Sequence, residues 1–273
     1  MSTAVVASLL EKTKDFSIEE TLSFLANEYP NQVVFSTSFG QEDQVITDFI
    51  GQNQLPITVF TLDTGRLFQE TYDVFHKTGK KYKTEIKTYF PETAAVESLL
   101  NEKGPNSFYS SVENRKECCG VRKIAPLKRA LAGKDVWITG LRQAQSQNRA
   151  VLDYFSYDEH FDILKFNPLA RWELTDVNAY LSKNKVPQNS LHTKGFVSIG
   201  CAPCTRAIEE GEDIRAGRWW WESSKKGCGL TSDAQKIEQH SKELSKNKIM
   251  KSKSEGRRAI VNKGLKMNDA VID

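Results

Sequence analysis

No stretch of this sequence approaches 18 consecutive apolar residues, so none reads as a membrane span. The apolar run from Ala4 to Leu10 has no basic segment before it and is followed directly by Glu11 without a small-residue cleavage pattern, so it does not read as a signal peptide. Cysteine is scarce, with five in 273 residues. A chain this long can bury a sizeable core without disulfides, and a few clustered thiols suit a reducing cytoplasm, where they bind metal or do redox chemistry. A cytoplasmic location without a membrane partner is therefore expected. There is no internal repeat, and the turns lack both the lysine of a Walker loop and the three glycines of a dinucleotide fingerprint.

What is present is ordinary for a globular chain: 39% apolar and 27% charged residues, enough for one large α/β domain or two small ones. The net charge of +3 is unevenly placed. Residues 231–273 carry ten Lys/Arg against six Asp/Glu, which leaves the first 230 close to neutral. The expected division is a folded domain over 1–230 and a basic, solvated, flexible tail over 231–273. No aromatic residue interleaves with the lysines of that tail, which argues against nucleic acid as a partner.

Ser17 and Glu20 form a capping-box pattern ahead of a helix to about Glu28, and Val33–Ser36 reads as a buried strand. That strand runs into Thr37-Ser38-Phe39-Gly40 and a helix over Gln44–Gly51. A strand, a Ser/Gly turn and a helix start can receive an anion, although a plain βα connection has the same signature. Ile57–Leu62 is the clearest strand; it ends in Asp63-Thr64-Gly65-Arg66 before a helix over Leu67–Lys77. Further expectations are a strand over Tyr82–Ile86, helices over Glu92–Asn101 and Val121–Leu131, and a strand over Val136–Gly140. Two short strands are expected between Val151 and Phe166, then a helix over Glu173–Ser182. Alternation of this kind predicts a doubly wound, mostly parallel α/β sheet, with ligands at the carboxyl ends of its strands.

The cysteines sort into the adjacent pair Cys118-Cys119, the spaced pair Cys201-x-x-Cys204 and the isolated Cys228. Four thiolates suffice for zinc or for an iron–sulfur cluster. Neighbouring thiolates point apart and strain a clamp on one small ion, whereas a cluster offers them separate irons, so chemistry tilts toward the cluster without excluding zinc. Trp219-Trp220-Trp221 reads first as core packing. Arg215 and Arg218 beside it are suited to bidentate phosphate or sulfate contacts.

Ser36–Asp43, Leu62–Arg66, Cys118–Lys123, Ser198–Thr205 and Arg215–Glu222 together resemble the assimilatory adenylyl-sulfate reductases, in unbroken motif order over residues 17–230. The resemblance implies an ATP-pyrophosphatase-like (adenine nucleotide alpha hydrolase-like) fold, a 4Fe-4S cluster on Cys118, Cys119, Cys201 and Cys204, and thioredoxin or a glutaredoxin-like dithiol as reductant. It implies Cys228 as nucleophile, Ser36, Ser38 and Gly40 on the nucleotide loop, and Lys123 between cluster and substrate. Arg149, Arg215 and Arg218 match arginines around the phosphosulfate, with Arg142 a weaker match. The implied reaction turns adenylyl sulfate into sulfite and AMP through a cysteine S-sulfonate. The 3′-phosphorylated nucleotide, alone or as a second substrate, is the alternative within the class. An ATP-pyrophosphatase-type tRNA-modifying enzyme and a non-catalytic metal module are the alternatives outside it. A homo-oligomer is compatible with all of these. One departure stands out: the family usually reads Lys-Glu-Cys-Gly-Leu-His around the nucleophile, and this chain has Lys226-Gly227-Cys228-Gly229-Leu230-Thr231. Gly227 is expected to loosen the segment.

Overall fold

The computed structural model describes residues 2–145 and 152–222, with the backbone of 266–267 and 270–271. The chain divides into two compact units, 1–223 and 224–273. Within the second, the described residues form a small antiparallel pair, Lys266–Met267 with Ala270–Val271. Among the described residues no helix is long and apolar enough to cross a membrane.

The first unit is built on a six-stranded sheet. Its strands in chain order are β1 (Val33–Thr37), β2 (Thr58–Leu62), β3 (Ile86–Tyr89), β4 (Val136–Ile138), β5 (Phe155–Asp158) and β6 (Ile163–Phe166), and the spatial order is β3-β2-β1-β4-β6-β5. All pairings are parallel except β5 against β6. This is the doubly wound, mostly parallel sheet expected. The chain moves outward from β1 through β2 to β3 and then returns to β4 on the other side of β1. The crevice outside the carboxyl ends of β1 and β4 is therefore the topological switch point, where open α/β sheets bind ligands.

The strands are apolar because both faces are covered: Val33, Val34 and Phe35 are all buried, as are Val136, Trp137 and Ile138. α2 (Ile18–Glu28) starts where Ser17 accepts the Glu20 N–H and Glu20 takes the Ser17 N–H, and it buries Leu22 and Leu25 on the sheet. Each buried leucine contributes roughly 1.5–3 kcal/mol. α3 (Gln41–Gln52) begins three residues earlier than the apolar pattern indicates, directly after Gly40. α1 (Ser2–Lys12) was not anticipated as a helix; it anchors through Leu9 in the core.

α4 (Gln69–Tyr82) runs five residues past its expected end, and the strand expected over Tyr82–Ile86 begins only at Ile86. Gly79 has low helix propensity, but tertiary bonds hold the last turn. The Tyr82 hydroxyl donates to buried Asp48 at 2.5 Å, and Gln44 donates to Thr78 at 2.8 Å. Gly51 makes room for this end, since a Cβ there would lie 2.6 Å from the Tyr82 ring. α5 (Thr93–Lys103) and α8 (Leu174–Lys183) fall close to their expected bounds.

The largest difference concerns the adjacent cysteines. The helix expected to start after them instead contains them: α6 (Val112–Cys119), capped by Ser111, continues through a π-helical turn at Gly120–Ile124 into α7 (Ala125–Leu131). A π turn inside an α-helix absorbs an extra residue and commonly marks a functional site.

Candidate active site at the carboxyl edge of the sheet

The turn after β1 carries the first group of expected residues. Phe39 holds a left-handed backbone (φ 59°), unusual for a residue with a Cβ, and its ring stacks on Phe75 at 4.9 Å. Ser38 donates to the Asp43 carboxylate through its N–H (2.6 Å) and its hydroxyl (2.7 Å). An internal carboxylate thus already engages part of the turn expected to receive an anion. Burial pushes the Asp43 carboxyl up to about 6, against the pull of hydrogen bonds from Ser38 and Gly40. Gly140, after β4, is pressed onto it: a Cβ there would lie 2.1 Å from Asp43 Oδ1. Ser36 accepts the Trp137 indole N–H at 2.8 Å, which ties β1 to β4. Arg142 is buried against Glu42 (2.8 Å) and also donates to the Trp172 carbonyl, so its guanidinium holds the loop after β4 to α3.

The end of β2 organises the second group. The Thr64 hydroxyl lies 3.3 Å from Cys201 Sγ, the Thr64 carbonyl accepts from Arg122 at 2.7 Å, and the Arg66 carbonyl accepts the Ala202 N–H at 2.8 Å. One strand end therefore grips both cysteine segments. Cys118 and Arg122, and likewise Cys119 and Lys123, are four residues apart on the helix, so each thiol shares a face with a cation. Cys118, Cys119, Cys201 and Cys204 all line one cavity, with Arg66, Arg115, Arg122 and Lys123 among its walls. All four are free thiols.

The electrostatics of the cavity are uneven. Burial pushes the Cys204 thiol up to about 12, helped by Cys201 and Cys119. Burial likewise raises Cys118. It acts in the same direction on Cys201, but Lys123, the Thr64 hydrogen bond, Arg218 and Arg122 outweigh it and bring that thiol below its ordinary value. Thiols that oppose one another's ionisation beside fixed cations suit a bound metal group, which takes up their charge. A further observation fits such a group. Arg122 Nε is buried without a hydrogen-bond partner among the described residues, leaving a donor beside the sulfurs.

The segment after the second cysteine pair folds back on it. Thr205 and Arg218 form an isolated bridge, and the Trp219 N–H donates to the Cys204 carbonyl at 3.3 Å. Arg218 is half-buried, donates to Ser198 Oγ and the Ile199 carbonyl at 3.3 Å each, and keeps Nε buried without a partner among the described residues. Arg215 lies in the preceding turn, where its N–H donates to Asp213. The tryptophans meet the core-packing expectation only in part: Trp219 is buried and Trp220 is 43% exposed, because successive residues in a turn face different ways. Cys228 and Arg149 lie outside the described residues. Thr64, Asp43, Arg115 and Glu222 were not singled out individually in the sequence, although the polar strand end around Thr64 marked the correct edge.

The chain matches the Phosphoadenosine phosphosulfate reductase domain over residues 32–207. It is 47% identical over 228 residues to the adenosine 5′-phosphosulfate reductase of Sinorhizobium fredii (strain USDA 257), covering 83% of this chain and 90% of that protein. The adenosine 5′-phosphosulfate reductase of Allochromatium vinosum is 48% identical over 219 residues, 80% and 85% of the two chains. Among solved structures, phosphoadenylyl-sulfate (PAPS) reductase from Candida auris, in its phosphate complex, superposes with a TM-score of 0.66 at 27% identity, covering 76% of this chain and 98% of that one.

Proposed function

The chain belongs to the phosphoadenosine phosphosulfate reductase family, and from that premise we propose that it reduces adenylyl sulfate to sulfite and AMP in sulfate assimilation. The observation that carries the reading is the meeting of four thiols and several cations at the carboxyl end of β2, next to the switch-point crevice of the sheet. Relatives 46–48% identical over at least four-fifths of this chain are named for the unphosphorylated nucleotide, whereas the named PAPS reductase structure is 27% identical, which favours adenylyl sulfate.

In the proposed reaction the Cys228 thiolate attacks the sulfonyl sulfur, the bond from that sulfur to the phosphate oxygen breaks, and AMP departs with the electron pair. The product on the protein is a cysteine S-sulfonate. Arg215, Arg218 and Lys123 supply positive charge for the leaving phosphate and the sulfonate, with Arg149 assigned to the same group from its motif. Ser36, near the end of β1, and Ser38 and Gly40 in the turn after it are assigned to the nucleotide from their motif. A thiolate of thioredoxin or a related dithiol protein then attacks Cys228 Sγ and releases sulfite. Its second thiol resolves the mixed disulfide, so the dithiol supplies both electrons and Cys228 is regenerated. Cys118, Cys119, Cys201 and Cys204 would hold a 4Fe-4S cluster. When bound, that cluster would staple the 112–131 helix to the 201–204 turn and place a net negative group against Arg122 and Lys123.

Turnover with each nucleotide tests the substrate assignment. Sulfite release from adenylyl sulfate, with at least about a hundredfold lower kcat/KM for the 3′-phosphorylated form, is expected; that ratio is about 2.7 kcal/mol of discrimination. Reduction of the 3′-phosphorylated form alone would overturn it.

A further inference from the structure

We infer that Glu222 is a positioning residue for Arg218, acting through Arg115 and Trp219. The inference rests on the reading of Arg218 as a phosphosulfate contact. Arg115 is 1% exposed and its partner Glu222 5%, and the carboxylate takes both Nε and Nη2 of the guanidinium, the latter at 3.1 Å. Arg115 lies over the Trp219 ring, with Cζ 4.5 Å from the centroid, and Arg218 lies over the same ring at 5.0 Å. Two guanidiniums share one indole, and among the described residues only Arg115 has a buried carboxylate against it.

The charge balance explains the arrangement. A buried guanidinium without its counter-charge is strongly unfavourable and repels a second one nearby. Glu222 neutralises Arg115, so the two cations can lie over the same ring. Arg218 is then left as the cation able to face an anion. Among the described residues its other restraints are weak or merely steric: two hydrogen bonds at 3.3 Å, and Gly200, where a Cβ would lie 2.3 Å from the guanidinium. The ring is the firmer boundary. Trp219 itself is held in a left-handed conformation (φ 47°) that a residue with a Cβ adopts only when its surroundings impose it. Those surroundings include the Trp219 N–H bond to the Cys204 carbonyl and the Glu222 N–H bond to the Trp219 carbonyl at 2.9 Å. Glu222 therefore closes the turn with its backbone and fixes the stack with its carboxylate.

The test measures adenylyl sulfate binding by calorimetry in a Cys228→Ser parent, where turnover does not consume the ligand. Adding Glu222→Gln is expected to weaken binding about tenfold, or about 1.4 kcal/mol. In the otherwise native enzyme it should raise KM by a similar factor, with kcat and iron content within about twofold of wild type. Removing both charges with Arg115→Met and Glu222→Leu should restore affinity to within about threefold, because no unpaired cation then competes for the ring. Trp219→Leu, which leaves the ion pair in place, tests the same link if Glu222→Gln does not fold: affinity falls about tenfold with iron retained. Unchanged affinity in Glu222→Gln or Trp219→Leu overturns the inference. So does an equal fall in kcat and iron content without recovery in the double variant, which would mark the pair as structural only. A parent that binds no adenylyl sulfate refutes the underlying reading of Arg218 instead, and the inference falls with it.

Discussion

Replacing Asp43 with asparagine removes a carboxyl that the folded protein holds in an unfavourable ionised state at neutral pH. Burial lifts it from its ordinary 3.8 to about 6, and the neighbouring Glu42 adds to the lift, while the Ser38 and Gly40 hydrogen bonds offset only part of it. A displacement of that size is about 3 kcal/mol in total. The folded-state value is the higher one, so the associated stability is fully present below pH 3.8 and is lost as pH rises through about 6. About 1 kcal/mol of the loss falls between pH 5 and 7.5. Asparagine keeps an acceptor for the Ser38 N–H and does not titrate. Chemical denaturation of Asp43→Asn and wild type in parallel, at several pH values across that window, isolates the effect, because other titrating groups cancel in the difference. The variant should gain on wild type by about 1 kcal/mol from pH 5 to 7.5. A difference that stays flat, or that moves toward wild type as pH rises, would refute the reasoning.

Other consequences are as direct. Tyr82 and Tyr180 both donate to Asp48, whose carboxylate is buried between α3, α4 and α8, at 2.5 and 2.9 Å. Tyr82→Phe and Tyr180→Phe should each cost about 1–3 kcal/mol in denaturation midpoints, with the double variant departing from the sum. Anaerobically purified protein should carry about four irons and four acid-labile sulfides per chain, and Cys201→Ser should lose most of both while its far-ultraviolet circular dichroism is retained. One zinc per chain without sulfide would contradict the cluster.

The sheet was legible because its strands are short apolar runs closed by polar turns, and Val33–Thr37 and Thr58–Leu62 emerge within a residue of their expected bounds. Where reading failed, a long-range contact decided. The end of α4 depends on Asp48, 34 residues away from Tyr82, and local propensity at Gly79 carries no trace of it. The helix was expected to start only at Val121, because Cys118-Cys119-Gly120 is a poor helix sequence; the π turn and the grip of Thr64 on Arg122 keep it helical. In the site, residue types and spacing identified the four thiols that share a cavity. The roles of Asp43 and Glu222 were hidden, because each acts through a partner that only the fold brings near: the pressed Gly140, and Arg115 at a separation of 107 residues.

The most direct test of the central claim is to mix anaerobic protein with adenylyl sulfate carrying radioactive sulfur, without reductant, and to count the label on the denatured chain. Label that stays on the wild type, leaves as sulfite when a dithiol is added, and is absent from Cys228→Ser is the predicted result. An unlabelled wild type with its cluster intact, or a labelled Cys228→Ser, would contradict it.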